Sequence, residues 1–133
     1  MAVSLSVFTD RLGTALLKNP DVDENKASQS LLVGRRLKKI KIDNTAGSNA
    51  LCYLKIWDKP EANVTVGTTD PNYVFEIPAA FDDVVSVQTW DADNNILGGA
   101  LFENGFTYAC VQEGGTAGTT APASAVIVEF SFT

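Results

Sequence analysis

Histidine is missing from this chain of 133 residues. It is the commonest general base and metal ligand in proteins, and serine and cysteine nucleophiles usually depend on it. Carboxylate pairs and serine–lysine pairs could still do chemistry, but no motif organises either kind. The adjacent acids Asp82 and Asp83 would point to opposite faces of a strand, so they would not share a proton. We therefore expect no catalytic residue, no metal site and no cofactor.

The run 91–95 has oxygen-bearing side chains at alternate positions, as calcium-binding loops do. However, Ile96 stands where such a loop needs a glycine, and Phe102 stands where it needs a bidentate glutamate. These departures favour a hairpin turn between a strand that ends at Trp90 and one that begins near Leu97.

Charge is distributed unevenly along the chain. All ten lysines and arginines lie at or before Lys59, and the charged residues of 61–133 are all aspartate or glutamate. The densest basic segment contains Arg35, Arg36, Lys38, Lys39 and Lys41. It could bind an acidic surface on a partner protein, or it could be the solvated face of a strand. A sequence pI of about 4.4 does not favour nucleic acid as the partner.

Two tryptophans, Trp57 and Trp90, fall in predicted strands opposite smaller apolar residues. On an exposed face their rings could stack on sugars, which would indicate a carbohydrate-binding module. Alternatively they fill the core or a subunit interface, where large aromatic side chains are common.

Strands must position these residues, because alternation of apolar and polar side chains dominates the chain. The predicted strands cover residues 36–43, 52–57, 73–77, 85–90, 97–103, 106–112 and 126–132. With turn-forming residues between them, they predict an all-β fold, an antiparallel β-sandwich that is jelly-roll-like. The dipeptide Asn104-Gly105 predicts a tight hairpin between the fifth and sixth of these strands.

The first third of the chain is less regular. Thr9 could cap a short helix over residues 10–18, which Pro20 would end. We assign residues 1–33 to an N-terminal arm or extension and residues 34–133 to the β-sandwich domain. The glycine- and threonine-rich segment 114–122 is predicted to be a flexible loop, exposed or in contact with a neighbour.

The first residues do not have the pattern of a secretory signal, and no apolar run approaches the roughly 20 residues that cross a bilayer. We therefore expect folding in a cytoplasm and no membrane partner. In that compartment Cys52 and Cys110 should be buried free thiols. The alternative is a disulfide between them, which requires that their strands are neighbours.

Four short motifs follow one another in a characteristic order. They are Leu-Lys-Ile-Trp-Asp-Lys at 54–59, Val-Gly-Thr-Thr-Asp-Pro at 66–71, Ile-Pro-Ala at 77–79 and Leu-Phe-Glu-Asn-Gly-Phe-Thr-Tyr-Ala at 101–109. Their order and spacing resemble a group of small bacteriophage structural proteins, over residues 40–133. That group usually has glycine after Ile-Pro-Ala, where this chain has Ala80. The resemblance implies an all-β virion protein, a capsid decoration (cement) protein or a tail or neck component, and it implies no catalytic residue.

These observations predict a non-enzymatic structural protein of the virion, assembled in the host cytoplasm. The leading expectation is a capsid decoration protein that stabilises the particle by binding copies of itself and other virion proteins, such as the major capsid protein. Its basic segment 35–41 would face acidic surface on a neighbour. The alternatives are a tail or neck component, or a carbohydrate-binding host-recognition module that uses Trp57 and Trp90.

Overall fold

The computed structural model describes residues 3–7, 14–46, 50–90 and 92–133. These residues form twelve β-strands and two short 3-10 helices, Ser30–Leu32 and Glu61–Asn63. The strands are β1 (Ser4–Val7), β2 (Ala15–Val22), β3 (Ala27–Ser28), β4 (Arg36–Asp43), β5 (Cys52–Trp57), β6 (Tyr73–Ile77), β7 (Asp82–Ser86), β8 (Thr89–Trp90), β9 (Ile96–Leu97), β10 (Ala100–Leu101), β11 (Thr107–Val111) and β12 (Val126–Phe132). Within these ranges, no helix is long and apolar enough to cross a membrane.

Two antiparallel sheets form the sandwich. The first sheet has the order β1-β2-β12-β4, and β7 and β10 both pair with the far edge of β4. The second sheet has the order β3-β11-β5-β6, and β8 and β9 pair as a separate two-stranded ribbon. The predicted all-β sandwich is therefore confirmed, whereas its jelly-roll connectivity stays a prediction.

The core lies between the two sheets and is built by the alternation that predicted the strands. On β12 every second side chain is buried, from Val126 to Phe132. Phe106 packs edge-on against Phe102, Phe130 and Phe132, with ring centroids 4.9 to 5.0 Å apart. Such aromatic pairs contribute about 0.5–1.5 kcal/mol each beyond the area that they bury.

Four predicted strands, 36–43, 52–57, 73–77 and 126–132, have the bounds that alternation gave them. The predicted hairpin at Asn104-Gly105 is wrong, because β10 pairs with β4 in the first sheet while β11 pairs with β5 in the second. The turn therefore carries the chain between the sheets. Gly105 is needed there for close approach, since a β-carbon on it would lie 2.3 Å from the carbonyl carbon of Lys59.

The predicted helix over residues 10–18 is also wrong in its described part, since Ala15–Val22 is strand β2, between β1 and β12. Thr9 and residues 10–13 lie outside the described residues. Pro20 does not interrupt the strand, because it lies at a bulge where two residues, Pro20 and Asp21, stand opposite Ile127.

The described part of the first 33 residues is integral to the sandwich. Ala15, Leu17, Val22 and Leu32 are buried in the same core cluster as the later strands. The expected arm therefore does not describe residues 15–32, because tertiary pairing of β2 with β12 outweighs the weak local helix signal.

The two cysteines are free and buried, as expected. They lie on the neighbouring strands β5 and β11, where the Cys110 thiol hydrogen-bonds to Cys52. That hydrogen bond, together with burial, raises the pKa of Cys110, whereas the pKa of Cys52 is lowered by the same hydrogen bond. The thiols add to the packing of the second sheet.

Candidate functional site

The outer face of the first sheet carries a cleft with a volume of about 320 Å³. Its lining residues come from four neighbouring strands: Lys18, Lys41, Asp43, Asp82, Ile127 and Glu129. The strand register sets their arrangement. Glu129 of β12 lies between Lys18 of β2 and Lys41 of β4, in one row across the sheet.

The basic segment divides at a bulge. Lys39 and Lys41 are exposed on the outer face of β4. Leu37 stands opposite Phe132 and Lys39 stands opposite Ser131, so Lys38 between them is the extra residue of the bulge. A β-carbon on Gly98 would lie 2.5 Å from the Lys38 Nζ, so this side chain lies along the loop at Gly98.

The two arginines lie toward the start of β4. Arg36 pairs with Leu101 of β10, and its backbone exchanges hydrogen bonds with Thr133. Arg35 precedes the strand and accepts a backbone hydrogen bond from Phe102. Of the predicted partner-binding residues, Lys39 and Lys41 thus lie together on the outer face. The other three, Arg35, Arg36 and Lys38, lie elsewhere.

Sequence reasoning missed Lys18, which joins that pair on the outer face. Its signal is the alternation of residues 15–22, of which residues 15–18 were included in the predicted helix. We call this surface the basic face. It consists of Lys18, Lys39 and Lys41, with Glu129 between Lys18 and Lys41 and with Val84 beside Lys41.

The opposite end of the cleft is acidic. Asp43 stands between Ile127 and Asp82 in the next row of the sheet. Hydrogen bonds from the Thr45 hydroxyl and backbone N–H hold the pKa of the Asp43 carboxyl below its ordinary value. The cleft therefore offers separated positive and negative ends, an arrangement suited to electrostatic contact with another surface.

Trp57 is not available for sugar stacking, so the stacking alternative is wrong for this residue and the alternative that it fills the core is confirmed. It is 1% exposed and packs with Val64 and Ala109 in a small second cluster. Its indole N–H donates to the carbonyl of Thr69 at 3.0 Å. The loop 64–69 covers that face of the second sheet, which the alternation within 52–57 alone could not reveal.

Trp90, by contrast, is 59% exposed. It pairs across the β8–β9 ribbon with Ile96, which is 62% exposed. The predicted hairpin between Trp90 and Leu97 is therefore confirmed, although Asp91 lies outside the described residues. The Thr89 hydroxyl donates to the carbonyl of Gly99 at 2.8 Å and fixes the base of the hairpin.

Asp58 joins two of the sequence motifs. One oxygen of its carboxylate accepts the backbone N–H groups of Glu103, Asn104 and Gly105, at 3.0, 2.9 and 3.3 Å. Its own backbone N–H donates to the Asn72 side chain at 2.8 Å. The turn at 103–105 thus has the form of a backbone anion site whose anion is supplied by the chain itself.

Lys55 fixes the loop predicted to be flexible. It is 1% exposed, and its Nζ donates to the carbonyl of Gly115 at 2.5 Å. Burial lowers the pKa of the Lys55 ammonium, and the charge of Glu113 partly offsets this effect. Glu113 in turn accepts the backbone N–H of Thr120, so the loop is exposed but held at both ends.

Comparison with protein-family models, curated proteins and solved structures gives no match to this chain. Among the residues that the structure describes, no group of three or more His, Cys, Asp and Glu side chains could hold a metal ion. Within the described residues, the basic face and the exposed hairpin formed by β8 and β9 are the candidate binding surfaces.

Proposed function

We propose that this chain is a non-enzymatic structural protein of a bacteriophage particle, and specifically a capsid decoration (cement) protein. It binds copies of itself and the major capsid protein, and it stabilises the assembled shell. Affinity comes from many modest contacts repeated over a symmetric particle.

The observation that carries the proposal is the convergence of the phage-like motifs. Trp57 and Asp58 belong to one motif, and they bind the backbones of two others, at Thr69 and at 103–105. Separately each motif is short and has little information. Side-chain hydrogen bonds join three of the four motifs into one structural unit, and the proposal rests on this unit together with the resemblance of the motifs to phage structural proteins.

The described surface also suits assembly. The exposed Val84 stands on the edge strand β7 of the first sheet, beside Asp82 and Asp83, and the exposed Trp90 and Ile96 stand on the separate β8–β9 ribbon. Apolar groups rimmed by charge are typical of surfaces that bind other proteins. A tightly packed sandwich with such exposed surfaces is consistent with a structural subunit that functions by binding other proteins.

The experiment is the copy number of this chain in purified particles, measured by quantitative mass spectrometry against the major capsid protein. A near-stoichiometric ratio is expected for a decoration protein. A few copies per particle would replace that role by the tail or neck component, and absence from purified particles would overturn the virion proposal.

A carbohydrate-binding role is the second candidate, favoured by the exposure of Trp90. Binding of a glycan on the ring should quench the fluorescence of Trp90, and Trp90→Ala should abolish binding. Trp57→Phe is the matched control, because the buried Trp57 cannot contact a ligand. No fluorescence response across a broad glycan panel would remove this candidate.

A further inference from the structure

The Asn104-Gly105 pair has a chemical reactivity of its own. It is the only asparagine in the chain that is followed by glycine. At such a pair the glycine backbone nitrogen can lose its proton and attack Cγ of the asparagine, because glycine has no β-carbon to hinder the approach. A C–N bond forms, the side-chain amide leaves as ammonia, and water opens the resulting succinimide to aspartate or isoaspartate. Whether the reaction proceeds therefore depends on how the fold holds the two reacting groups.

The nucleophile of this reaction is held by a carboxylate. The Gly105 backbone N–H donates to Oδ1 of Asp58 at 3.3 Å, and the same oxygen accepts the N–H groups of Glu103 and Asn104. Attack requires the Gly105 nitrogen to lose its proton, and a negative charge beside that nitrogen makes the loss less favourable. The hydrogen bond must also break, and hydrogen bonds to charged acceptors are the stronger ones.

The leaving group is held by the same side chain. Asn104 Nδ2 donates to Oδ2 of Asp58 at 3.5 Å. Ring formation joins the Asn104 Cγ to the Gly105 nitrogen, which removes both groups from their hydrogen bonds with Asp58. Asn104 is exposed, so water already reaches its amide group. The hydrogen bonds to Asp58, and not exclusion of water, are therefore what opposes the reaction.

The backbone around the pair is also restricted. On the C-terminal side, the Phe106 carbonyl accepts the backbone N–H of Gln29 at 3.1 Å, and Phe106 is buried in the core. Gly105 is buried as well, and a β-carbon on it would overlap the carbonyl group of Lys59. Rotation of the Gly105 peptide toward the asparagine side chain would have to displace these packed groups.

We propose that Asn104 is a latent deamidation site, which Asp58 keeps unreactive as long as the turn at 103–105 is closed. The reaction then requires local opening of the turn, so its rate reports how often these contacts break. Deamidation would place a new carboxylate at position 104 beside Asp58, and isoaspartate would add one carbon to the backbone between the two sheets. Either product would oppose closure of the turn. This protection is a property of the folded chain, independent of the proposed virion role.

The test is the rate of deamidation of the purified full chain in mildly alkaline buffer. Mass spectrometry of the proteolytic peptide that contains Asn104 detects the exchange of its amide for a carboxyl group. The folded chain should react about 10-fold or more slowly than the same chain unfolded in urea, as loss of a hydrogen bond to a charged group requires. Equal rates in the folded and the unfolded chain would overturn the proposal.

Substitution of Asp58 distinguishes its effect from that of folding in general. Asp58→Ala should accelerate deamidation of the folded chain about 10-fold or more. Asp58→Asn should accelerate it less, because the new side chain keeps an acceptor oxygen but loses the charge. Val128→Ala is the matched control, since Val128 is a buried residue of β12 and its truncation destabilises the core without changing the carboxylate.

Urea denaturation gives the free energy of unfolding of each variant, so deamidation rates can be compared at equal stability. If Val128→Ala accelerated the reaction as much as an Asp58 variant of the same stability, then global unfolding would control it and the role of Asp58 would be wrong. Should Asp58→Ala fail to fold, the folded Asp58→Asn variant decides. An unchanged or slower rate in Asp58→Asn would contradict protection, and a slower rate would instead make Asp58 the base that removes the Gly105 proton.

Discussion

Ala80 is expected to be a strained residue whose replacement by glycine stabilises the protein. It lies in the turn between β6 and β7, with φ at +59°, in the left-handed region. A residue with a β-carbon loses about 1–2 kcal/mol in that region. Replacing alanine by glycine also stabilises the unfolded chain, by about 0.4–1 kcal/mol of conformational entropy. Since Ala80 is exposed, no packing is lost.

The net gain from Ala80→Gly is therefore about 0.5–1 kcal/mol in the free energy of unfolding. The entropy of unfolding is about 2.1 cal/mol/K per residue, so the melting temperature of this chain should rise by about 2–4 °C. Urea denaturation and thermal scans monitored by circular dichroism would measure both quantities. The turn should stay closed, because the Phe81 N–H donates to the Pro78 carbonyl at 3.2 Å.

Two further variants are controls for this prediction. Ala79→Gly changes the exposed neighbour, whose φ is not positive, so it should lose about 0.4–1 kcal/mol. Asn94→Gly changes the second non-glycine residue with a positive φ among those that the structure describes, and its gain should be smaller because asparagine tolerates this conformation. If Ala80→Gly destabilised the protein as much as Ala79→Gly does, the strain attributed to Ala80 would be refuted.

Three other predictions concern charged side chains that hold loops. Asp58→Ala should cost about 1–3 kcal/mol, because three backbone N–H groups lose their acceptor, and Asp58→Asn should cost less; urea unfolding measures both. Hydrogen bonds from Thr120 lower the pKa of the Glu113 carboxyl, so its stabilisation is present above the ordinary pKa of 4.5 and is lost as pH falls through the folded value. The stability difference from Glu113→Gln should therefore disappear in acid, and a difference that persists there would contradict this account. Burial lowers the pKa of Lys55, so stability should rise with pH between its folded value and 10.5, and Lys55→Met should remove that rise in an alkaline urea series.

Local alternation predicted the strands that face the core on one side. Ile40 and Ile42 are buried while Lys39 and Lys41 are exposed, as their spacing requires. The period of two is a property of the backbone, so it can be seen in the chain before any tertiary contact is known. The all-β class and the bounds of the regular strands could be predicted for this reason.

Partner choice between strands was not predictable in the same way. Asn104-Gly105 has the composition of a hairpin turn, yet its flanking strands belong to different sheets. A glycine can serve a positive φ or a close backbone approach, and composition does not distinguish these two needs. Likewise β2 has a weak helical pattern locally, and its pairing on both sides with β1 and β12 determines its conformation.

The candidate site depended still more on tertiary structure. The sequence alone predicted an all-β fold, buried thiols, a basic segment at 35–41 and an acidic segment at 61–133. Folding placed Lys38 at a bulge beside the loop at Gly98, added Lys18 to the outer face from a distant strand, covered Trp57 with a loop and left Trp90 in solvent. Alternation specifies which side of a strand a residue occupies, but exposure depends on what covers that side, and only long-range pairing and loop packing decide it.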